Sequence, residues 1–565
     1  MRKKRFCRLV ALNCRYTHSC PALFYLRDAL EQNLPDVEVE LLQLTINDPY
    51  YQTLLRVAED DPEVLFFSAY IWNSDYLGRL VADLARLRPG RPMVIGGPQA
   101  EFFGDPPVEC TLVRGEIEGI DPAFYRDLSL AELQPLYIAE PGAEFPFPFR
   151  SRDFETHLLN RQILYESSRG CPFSCSYCLS AVGTRVVHKD VSKVEEELGR
   201  ILAARPILVK FVDRTFNDNP DRALAIWRFL VDCNVETRFH FEVAPDRFTP
   251  EMLDFLATVP TGLFQFEIGI QSTDPKILAA VHRRMDVEPA LAAIRCLAKA
   301  GNIHLHVDLI LGLPEDSLKS FAESFRRVFS CRPDYIQMGL LKVLPGTPIA
   351  GDVDRYELLH CTRPPFEVLS TNTMSGREVA ELYLFGKCVE RFYNNRYFPS
   401  LYTYLHDQEE DPFAFFMGLL TLCTGRAFFQ RAATQKLMTE LLVEYIKIRD
   451  DAALLMELLC YDWLRCGHRF LPDCLPHTPI VELRALLRKT MPEAMEPLYT
   501  SFERNRFFKQ GIFFRFSSAA LNAVGLEVRG VSGVLCFSVE KDSGLHAWSR
   551  AFLLEMHGQK EEELS

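Results

Sequence analysis

The chain has 565 residues, a formal net charge of −13, 48% hydrophobic residues and 25% charged residues. Domains of about 100–200 residues make three or four cores the expectation, and an ordinary globular composition excludes a disordered or fibrous chain. The acidic balance argues against a broad nucleic-acid footprint, and 17 cysteines with no visible secretory segment argue for thiols or metal ligands in a reducing, cytoplasmic compartment.

Met1 to Arg5 is basic, but Phe6–Leu12 is a short strand-like run carrying Cys7 and Arg8, so no signal peptide is expected. Strand and helix then alternate. Strands are predicted at Arg8–Asn13, Val37–Leu42, Val64–Ser68, Pro92–Ile95 and, as the last, Cys110–Arg114. Helical spacing appears at Pro21–Gln32 and Leu77–Leu87. Repeated units of this kind predict a doubly wound, Rossmann-like parallel sheet over residues 1–140. The proline density from Pro141 to Phe149 tolerates no regular element, so 141–160 is read as a linker.

From Gln162 the units lengthen. Strands are predicted at Ile163–Glu166, Ile207–Val212, Phe239–Val243, Phe264–Ile270, His304–Leu311 and Tyr335–Leu341, with helical stretches between. Six such units over 161–365 predict a partial (β/α)6, TIM-like barrel with its chemistry at the C-terminal strand ends. Residues 366–565 read as mostly helical: Glu378–Tyr393, Pro412–Leu422, Ala432–Lys447 and Ala452–Arg465, then strand-like pieces at Gly511–Phe516 and Val534–Val539. The longest apolar run, near Phe413–Cys423, falls short of the roughly 20 residues a membrane span needs. It is read as a buried helix, and no membrane partner is expected. Cys460, Cys466, His468, Cys474 and His477 cluster in sequence, but their spacings match no common metal site. The closing residues, Glu561 to Ser565, look like a solvated tail.

The segment Cys171-Pro172-Phe173-Ser174-Cys175-Ser176-Tyr177-Cys178 follows the first barrel strand directly. Three thiolates can hold three irons of a cubane and leave the fourth open to a substrate-like ligand. The competing reading is zinc, which would need a fourth ligand, or inert thiols. Gly170 permits a tight loop, and Tyr177 can cover one face of a cofactor.

With these residues the chain resembles the radical S-adenosylmethionine (radical SAM) superfamily, over about residues 160–350. The likeness extends to Phe241-Glu242-Val243-Ala244-Pro245, Gly269-Ile270-Gln271-Ser272, Val281-His282-Arg283-Arg284, Val307 to Pro314, and Leu344-Pro345-Gly346-Thr347-Pro348, in that order. These segments are similar to those of oxygen-independent coproporphyrinogen oxidase and of cobalamin-dependent radical enzymes. The resemblance implies a [4Fe–4S] cluster on Cys171, Cys175 and Cys178, and S-adenosylmethionine contacts from Glu242, Gln271, Arg283 and Asp308. Carboxylates suit ribose hydroxyls and an ammonium group, and Arg283 suits the methionine carboxylate. Gly312 and Leu313 would leave room for the adenine. Where many members carry a Gly-Gly-Glu-like run, this chain has Val212-Asp213-Arg214-Thr215. Asp213 is the candidate acceptor there.

An α/β sheet before such a barrel resembles a cobalamin-binding domain. His18 falls about where that family's cobalt-ligating His lies, although Tyr16 and Pro21 stand in place of its Asp and Gly. A hydrogen-bonded or surface role is the alternative for His18. Ser68-Ala69-Tyr70 resembles the Ser-x-Leu element, and Gly96-Gly97 the double glycine beside the nucleotide tail. The whole chain is similar to cobalamin-dependent radical SAM proteins with a C-terminal extension of unassigned role. This implies reductive cleavage of S-adenosylmethionine, methyl transfer to an unactivated carbon of a small-molecule or peptide substrate, and an external electron donor such as flavodoxin or ferredoxin. The alternatives are a radical oxidoreductase or rearrangement enzyme without methyl transfer, and a non-catalytic corrinoid-binding module.

Overall fold

The computed structural model describes residues 5–100, 110–140, 144–182, 186–476, 480–490, 504–528 and 531–554. His477 and the acidic tail lie outside the described residues. Contact density divides the chain into two units. The first is Met1–Ala293 with Ile310–Ser317 and Leu340–Val379, and the second is Ile294–Leu309 with Leu318–Gly339 and Ala380–Ser565.

The first sheet is built from β1 (Arg5–Asn13), β2 (Val37–Thr45), β3 (Val64–Ser68), β4 (Met93–Gly96), β5 (Thr111–Arg114) and β6 (Leu136–Ile138), all parallel. β3 is buried along its whole length, as expected of a strand covered by helices on both faces. β6 corrects the expectation that the strand at Cys110–Arg114 is the last. It has only three residues, with Leu136 and Ile138 exposed at the sheet edge, too short to register as a period. The strand order β2-β1-β3-β4-β5-β6 reverses direction between β1 and β3. Open α/β sheets bind ligands outside the strand ends at such a switch point.

The second sheet begins at β7 (Ile163–Tyr165). A short antiparallel pair, β8 (Ser168–Arg169) with β9 (Val187–His188), brackets the cysteine segment. The sheet continues through β10 (Leu208–Phe211), β11 (Arg238–Val243), β12 (Phe264–Gln271), β13 (His304–Leu311) and β14 (Tyr335–Leu340), in the order β14-β13-β12-β11-β10-β7. In β12, Phe264, Phe266, Ile268 and Ile270 are buried and alternate with partly exposed Gln265, Glu267, Gly269 and Gln271. The period of two therefore sends aromatics to one face and polar groups to the other. Trp227, from the helix Pro220–Asp232, is fully buried among Phe216, Phe241, Phe264 and Phe266, with ring centroids 5.5–6.5 Å away. Asn219, Thr249 and Asp274 each cap a helix whose first residue is proline, which fixes where the helices of this layer begin.

In the second unit the described helices include Pro399–Asp407, Pro412–Gly425, Gln435–Ile446 and Ala452–Arg465. Phe415, Phe416, Leu419 and Leu420 of the apolar run are buried, and no helix among the described residues is long and apolar enough to cross a membrane. The chain closes with a three-stranded antiparallel sheet, Ile512–Ser517, Ser532–Lys541 and Ser549–Leu554. Its third strand is absent from the sequence reading.

Asp462, fully buried in the helix Ala452–Arg465, accepts from the backbone N–H groups of Ser400 and Leu401 at the start of Pro399–Asp407. Burial pushes its carboxyl from the ordinary 3.8 up to about 7, against the pull of those donors. The folded state therefore holds a proton that the unfolded state has lost between about pH 4 and 7. The stability linked to this proton is present below pH 4 and is lost as the pH rises through 7. Asp462→Asn removes that titration. The melting temperature of Asp462→Asn is expected to gain on the wild type between pH 5 and pH 8, and equal shifts at both pH values would refute the assignment.

Candidate active site

The cysteine loop is held from both ends. Ahead of it, the wholly buried Asp213 accepts at Oδ1 from Ser167 Oγ (2.6 Å) and Ser168 Oγ (2.5 Å), and at Oδ2 from Ser167 N (3.1 Å). Arg222 Nη2 donates to the carbonyl and hydroxyl of Ser167 at 2.9 and 3.0 Å. Within the loop, Ser176 N donates to Val281 O (2.9 Å), and Ile349 N donates to Ser176 O (3.0 Å). These bonds tie the loop to the segments holding Arg283 and Pro348.

Cys175 is buried, and Cys171 and Cys178 are partly exposed. Arg283 Nη1 lies 3.7 Å from Cys175 Sγ, and Arg283 also donates to Gly269 O. Burial works against the Arg283 charge, but Tyr177 and Cys175 beside it outweigh that and raise its pKa. Thr215 Oγ1 is 3.6 Å from Cys171 Sγ. The Arg247 and Arg283 guanidiniums stand 5.0 and 6.0 Å from the Phe173 ring centroid. Among the described residues no three His, Cys, Asp or Glu side chains converge to hold a single metal ion. A cubane asks for something else, one thiolate on each of three irons, and three cysteines on one loop with a guanidinium beside them fit that donor requirement.

The polar face of the second sheet carries charge. The register pairs Glu242 with Glu267. Lys210 Nζ sits between them, 3.4 Å from Glu242 Oε1 and 3.2 Å from Glu267 Oε2, and His240 Nε2 is 3.0 Å from Glu267 Oε2. Burial raises the Glu242 carboxyl, with Lys210 opposing and Glu267 adding to the rise. Gln271 has a left-handed backbone, φ 70°, and its amide lies over Gly269, where a Cβ would collide with it. Gly312 has φ 76°, and a Cβ there would meet Val368 Cγ1 at 2.7 Å. Leu313 is fully buried. Asp308 belongs to the second unit, where His306 Nε2 is 3.1 Å from its Oδ1.

At the switch point of the first sheet, the turn after β1 carries His18 and the turn after β3 begins at Ser68. Cys14 Sγ contacts His18 Nδ1 at 3.0 Å. Burial lowers the His18 pKa, with smaller contributions from Arg15 and from Lys210 of β10. Tyr70 and Trp72 stack with centroids 4.3 Å apart, and Cys20 Sγ lies 3.6 Å from Ser68 Oγ. Gly97, after β4, has φ 98°, and a Cβ there would stand 2.7 Å from Ala69 O. Gln99 is 1% exposed, and neither end of its buried amide has a partner. The first sheet and the barrel meet at this edge: Arg161 Nη1 donates to His18 O at 2.5 Å, and Arg169 of β8 pairs with Glu116 (3.0 Å) and Glu118 (2.8 Å).

Residues 165–328 match the family model described as the radical SAM superfamily. The chain carries a radical SAM domain. Residues 354–517 match a second model, a protein of unknown function, DUF4080. Among curated proteins, the chain is 26% identical over 417 residues to 2-(S-pantetheinyl)-carbapenam-3-carboxylate methyltransferase of Streptantibioticus cattleyicolor, covering 62% of this chain and 60% of that protein. It is 24% identical over 448 residues to the cobalamin-dependent radical SAM methyltransferase TokK of Streptomyces tokunonensis, covering 68% and 65%. The chain thus spans less than two thirds of either relative. The structure of the cobalamin-dependent S-adenosylmethionine radical enzyme OxsB with aqua-cobalamin bound shares the fold at TM-score 0.57 and 14% identity, covering 86% of this chain and 84% of that one. The radical S-adenosylmethionine methyltransferase TsrM from Kitasatospora setae, with tryptophan and a SAM analogue bound, gives TM-score 0.50 at 20% identity, covering 65% and 80%.

In the radical SAM domain the structure brings Cys175, Arg283 and Gln271 together around Gly269, and sets Glu242 beside Lys210. Asp213 faces away from them into the Ser167 and Ser168 anchor. Lys210, Glu267 and His240 escaped the sequence reading, although a lysine inside the apolar strand Leu208–Phe211 is itself a signal of a polar lumen. Gln99 and Cys14 escaped as well. Of the C-terminal cysteine cluster, Cys460 is fully buried, while His468 stacks on Trp463 at 4.2 Å and pairs with Gln435 at 2.8 Å.

Proposed function

We propose that the chain is a cobalamin-dependent radical SAM enzyme that methylates an unactivated carbon of a small-molecule or peptide substrate. The observation carrying this reading is the meeting of two sites in one unit: the three-cysteine loop with Arg283, and the switch-point crevice with His18, Ser68 and Gly97. Cys171, Cys175 and Cys178 would hold the cluster. Arg283 would receive the methionine carboxylate of S-adenosylmethionine as a forked donor, and Glu242 would accept from ribose hydroxyls, with Lys210 fixing its carboxylate. Gln271 and the Gly312–Leu313 backbone would contact the remainder. Bound there, these groups would supply one-electron cleavage of a C–S bond, hydrogen abstraction from an unreactive carbon and a transferable methyl group. The chain's own part is to orient them and exclude water. The electron would come from an external donor such as a flavodoxin or ferredoxin, in keeping with a reducing, cytoplasmic setting.

In the crevice, Gly97 packs against the Ala69 backbone, and the Gln99 amide has donors and acceptors to offer a corrinoid tail. Gln99→Leu removes an unpaired buried amide, so the corrinoid-free protein is expected to melt at the same or a higher temperature while retaining less corrinoid after loading. Unchanged corrinoid retention would overturn that role. Gly97→Ala meets both a positive φ and the Ala69 carbonyl. It is expected to cost about 1–3 kcal/mol, read from thermal melts.

The deciding experiment is anaerobic reconstitution with iron, sulfide and hydroxocobalamin, followed by turnover with S-adenosylmethionine labelled in its methyl group. About four irons per chain, a retained corrinoid and label in a product support the proposal. Four irons without corrinoid would leave a radical oxidoreductase, and zinc on the three cysteines would end the radical reading.

A further inference from the structure

The second unit contains a cavity of about 370 Å³, lined by residues that include Arg332, Arg396, Thr403, Arg465, Asp334 and Asp542. Its volume is in the range of small-molecule sites, and none of the residues assigned above to the cluster, S-adenosylmethionine or corrinoid lines it. The hydrogen-bonding capacity left in its wall is one-sided. Both carboxylates are already engaged. Asp334 accepts from His546 Nε2 at Oδ1 (3.0 Å) and from Leu305 N at Oδ2 (2.9 Å). Asp542 accepts from Arg465 Nη2 at Oδ2 (2.6 Å) and from Gly544 N at Oδ1 (3.3 Å).

The donors are less fully used. Arg396 Nε is buried with no partner, and its Nη2 reaches Asp334 only at 3.6 Å. Arg332 commits Nη2 to Asp407 and His406, out of a fork of five N–H groups. The hydroxyl of Tyr402, whose ring forms part of the wall, is also buried without a partner. A wall whose carboxylates are engaged and whose Arg396 and Arg332 guanidiniums are only partly used calls for a ligand that brings acceptors. Guanidiniums bind carboxylate and phosphate oxygens most strongly when the pair is partly desolvated.

We propose that this cavity is a second small-molecule site, taking an oxyanion (a carboxylate or a phosphate) on Arg396 and Arg332. The site stands independently of the radical SAM chemistry, so its test needs neither cluster nor turnover. Isothermal titration calorimetry on the full chain would use inorganic phosphate and, separately, succinate at millimolar concentrations. Saturable one-to-one binding of either probe is expected, weakened about tenfold or more in Arg396→Met and unchanged in Arg431→Met, an exposed arginine outside the cavity. Phosphate alone, or succinate alone, would identify the kind of oxyanion. If Arg396→Met fails to fold by circular dichroism, Arg332→Met at the half-exposed side of the site carries the same comparison. No saturable binding of either probe, or binding indifferent to both cavity arginines, overturns the proposal.

Discussion

Single replacement of Cys171, Cys175 or Cys178 by alanine is expected to lower iron after anaerobic reconstitution from about four per chain to well under one, and to abolish 5′-deoxyadenosine formation. Each cysteine would be the sole protein ligand of one iron, so the loss of one thiolate leaves a corner of the cubane open to solvent and oxidant. Cys296→Ala is the matched control, since that thiol is exposed on a helix of the barrel layer, and it should leave iron unchanged. Metal analysis with absorbance spectroscopy reads both. Full iron in any of the three loop variants would move the cluster elsewhere in the chain.

Much of this arrangement is legible in the sequence, because it rests on periods and spacings. The alternation in Phe264–Gln271 separates a lumen face from a helix-facing one, and a three-then-two cysteine spacing after the first barrel strand marks a ligand loop. What escaped depends on partners distant in sequence. The edge strand Leu136–Ile138 is too short to show a period, and only pairing with Thr111–Arg114 makes it a strand. The helix Tyr50–Ala58 buries only Thr53 and Val57, four residues apart, too few apolar positions to mark a helical period. In the cobalamin-type loop, the missing Asp at Tyr16 suggested that His18 had lost its orienting partner. The fold supplies Cys14, four residues earlier, at the same imidazole. Sequence placed Asp213 at a strand end but could not decide whether its side chain turns to the mouth or back into the chain.

That direction makes Asp213→Ala the most destabilising single change expected in the first unit. The carboxylate meets donors on both oxygens, Ser167 N and the hydroxyls of Ser167 and Ser168, and it is the counter-charge of the buried Arg222, whose own pKa is depressed by burial in spite of it. Arg222 Nε and Nη1 have no hydrogen-bond partner, and its Nη2 bonds Ser167. Truncation leaves the three donors of Ser167 and Ser168 without their acceptor in a buried site and removes a charge that favours Arg222, and at about 1–3 kcal/mol for each buried group left unsatisfied the loss comes to several kcal/mol. For a domain of this size, that corresponds to a fall of roughly 10 °C in the melting temperature, measured by circular dichroism without any cofactor. Because Ser167 and Ser168 lead directly into the cysteine loop, reconstituted iron should fall in parallel. Asp213→Asn restores the shape but not the charge, and turns an N–H₂ group toward donors, so it should recover little. Had Asp213 instead been an acceptor for the amino group of S-adenosylmethionine, Asp213→Ala would leave melting and iron content unchanged and raise only the concentration of S-adenosylmethionine needed for its cleavage. The melt and the iron assay together separate an anchor of the loop from a contact to its ligand.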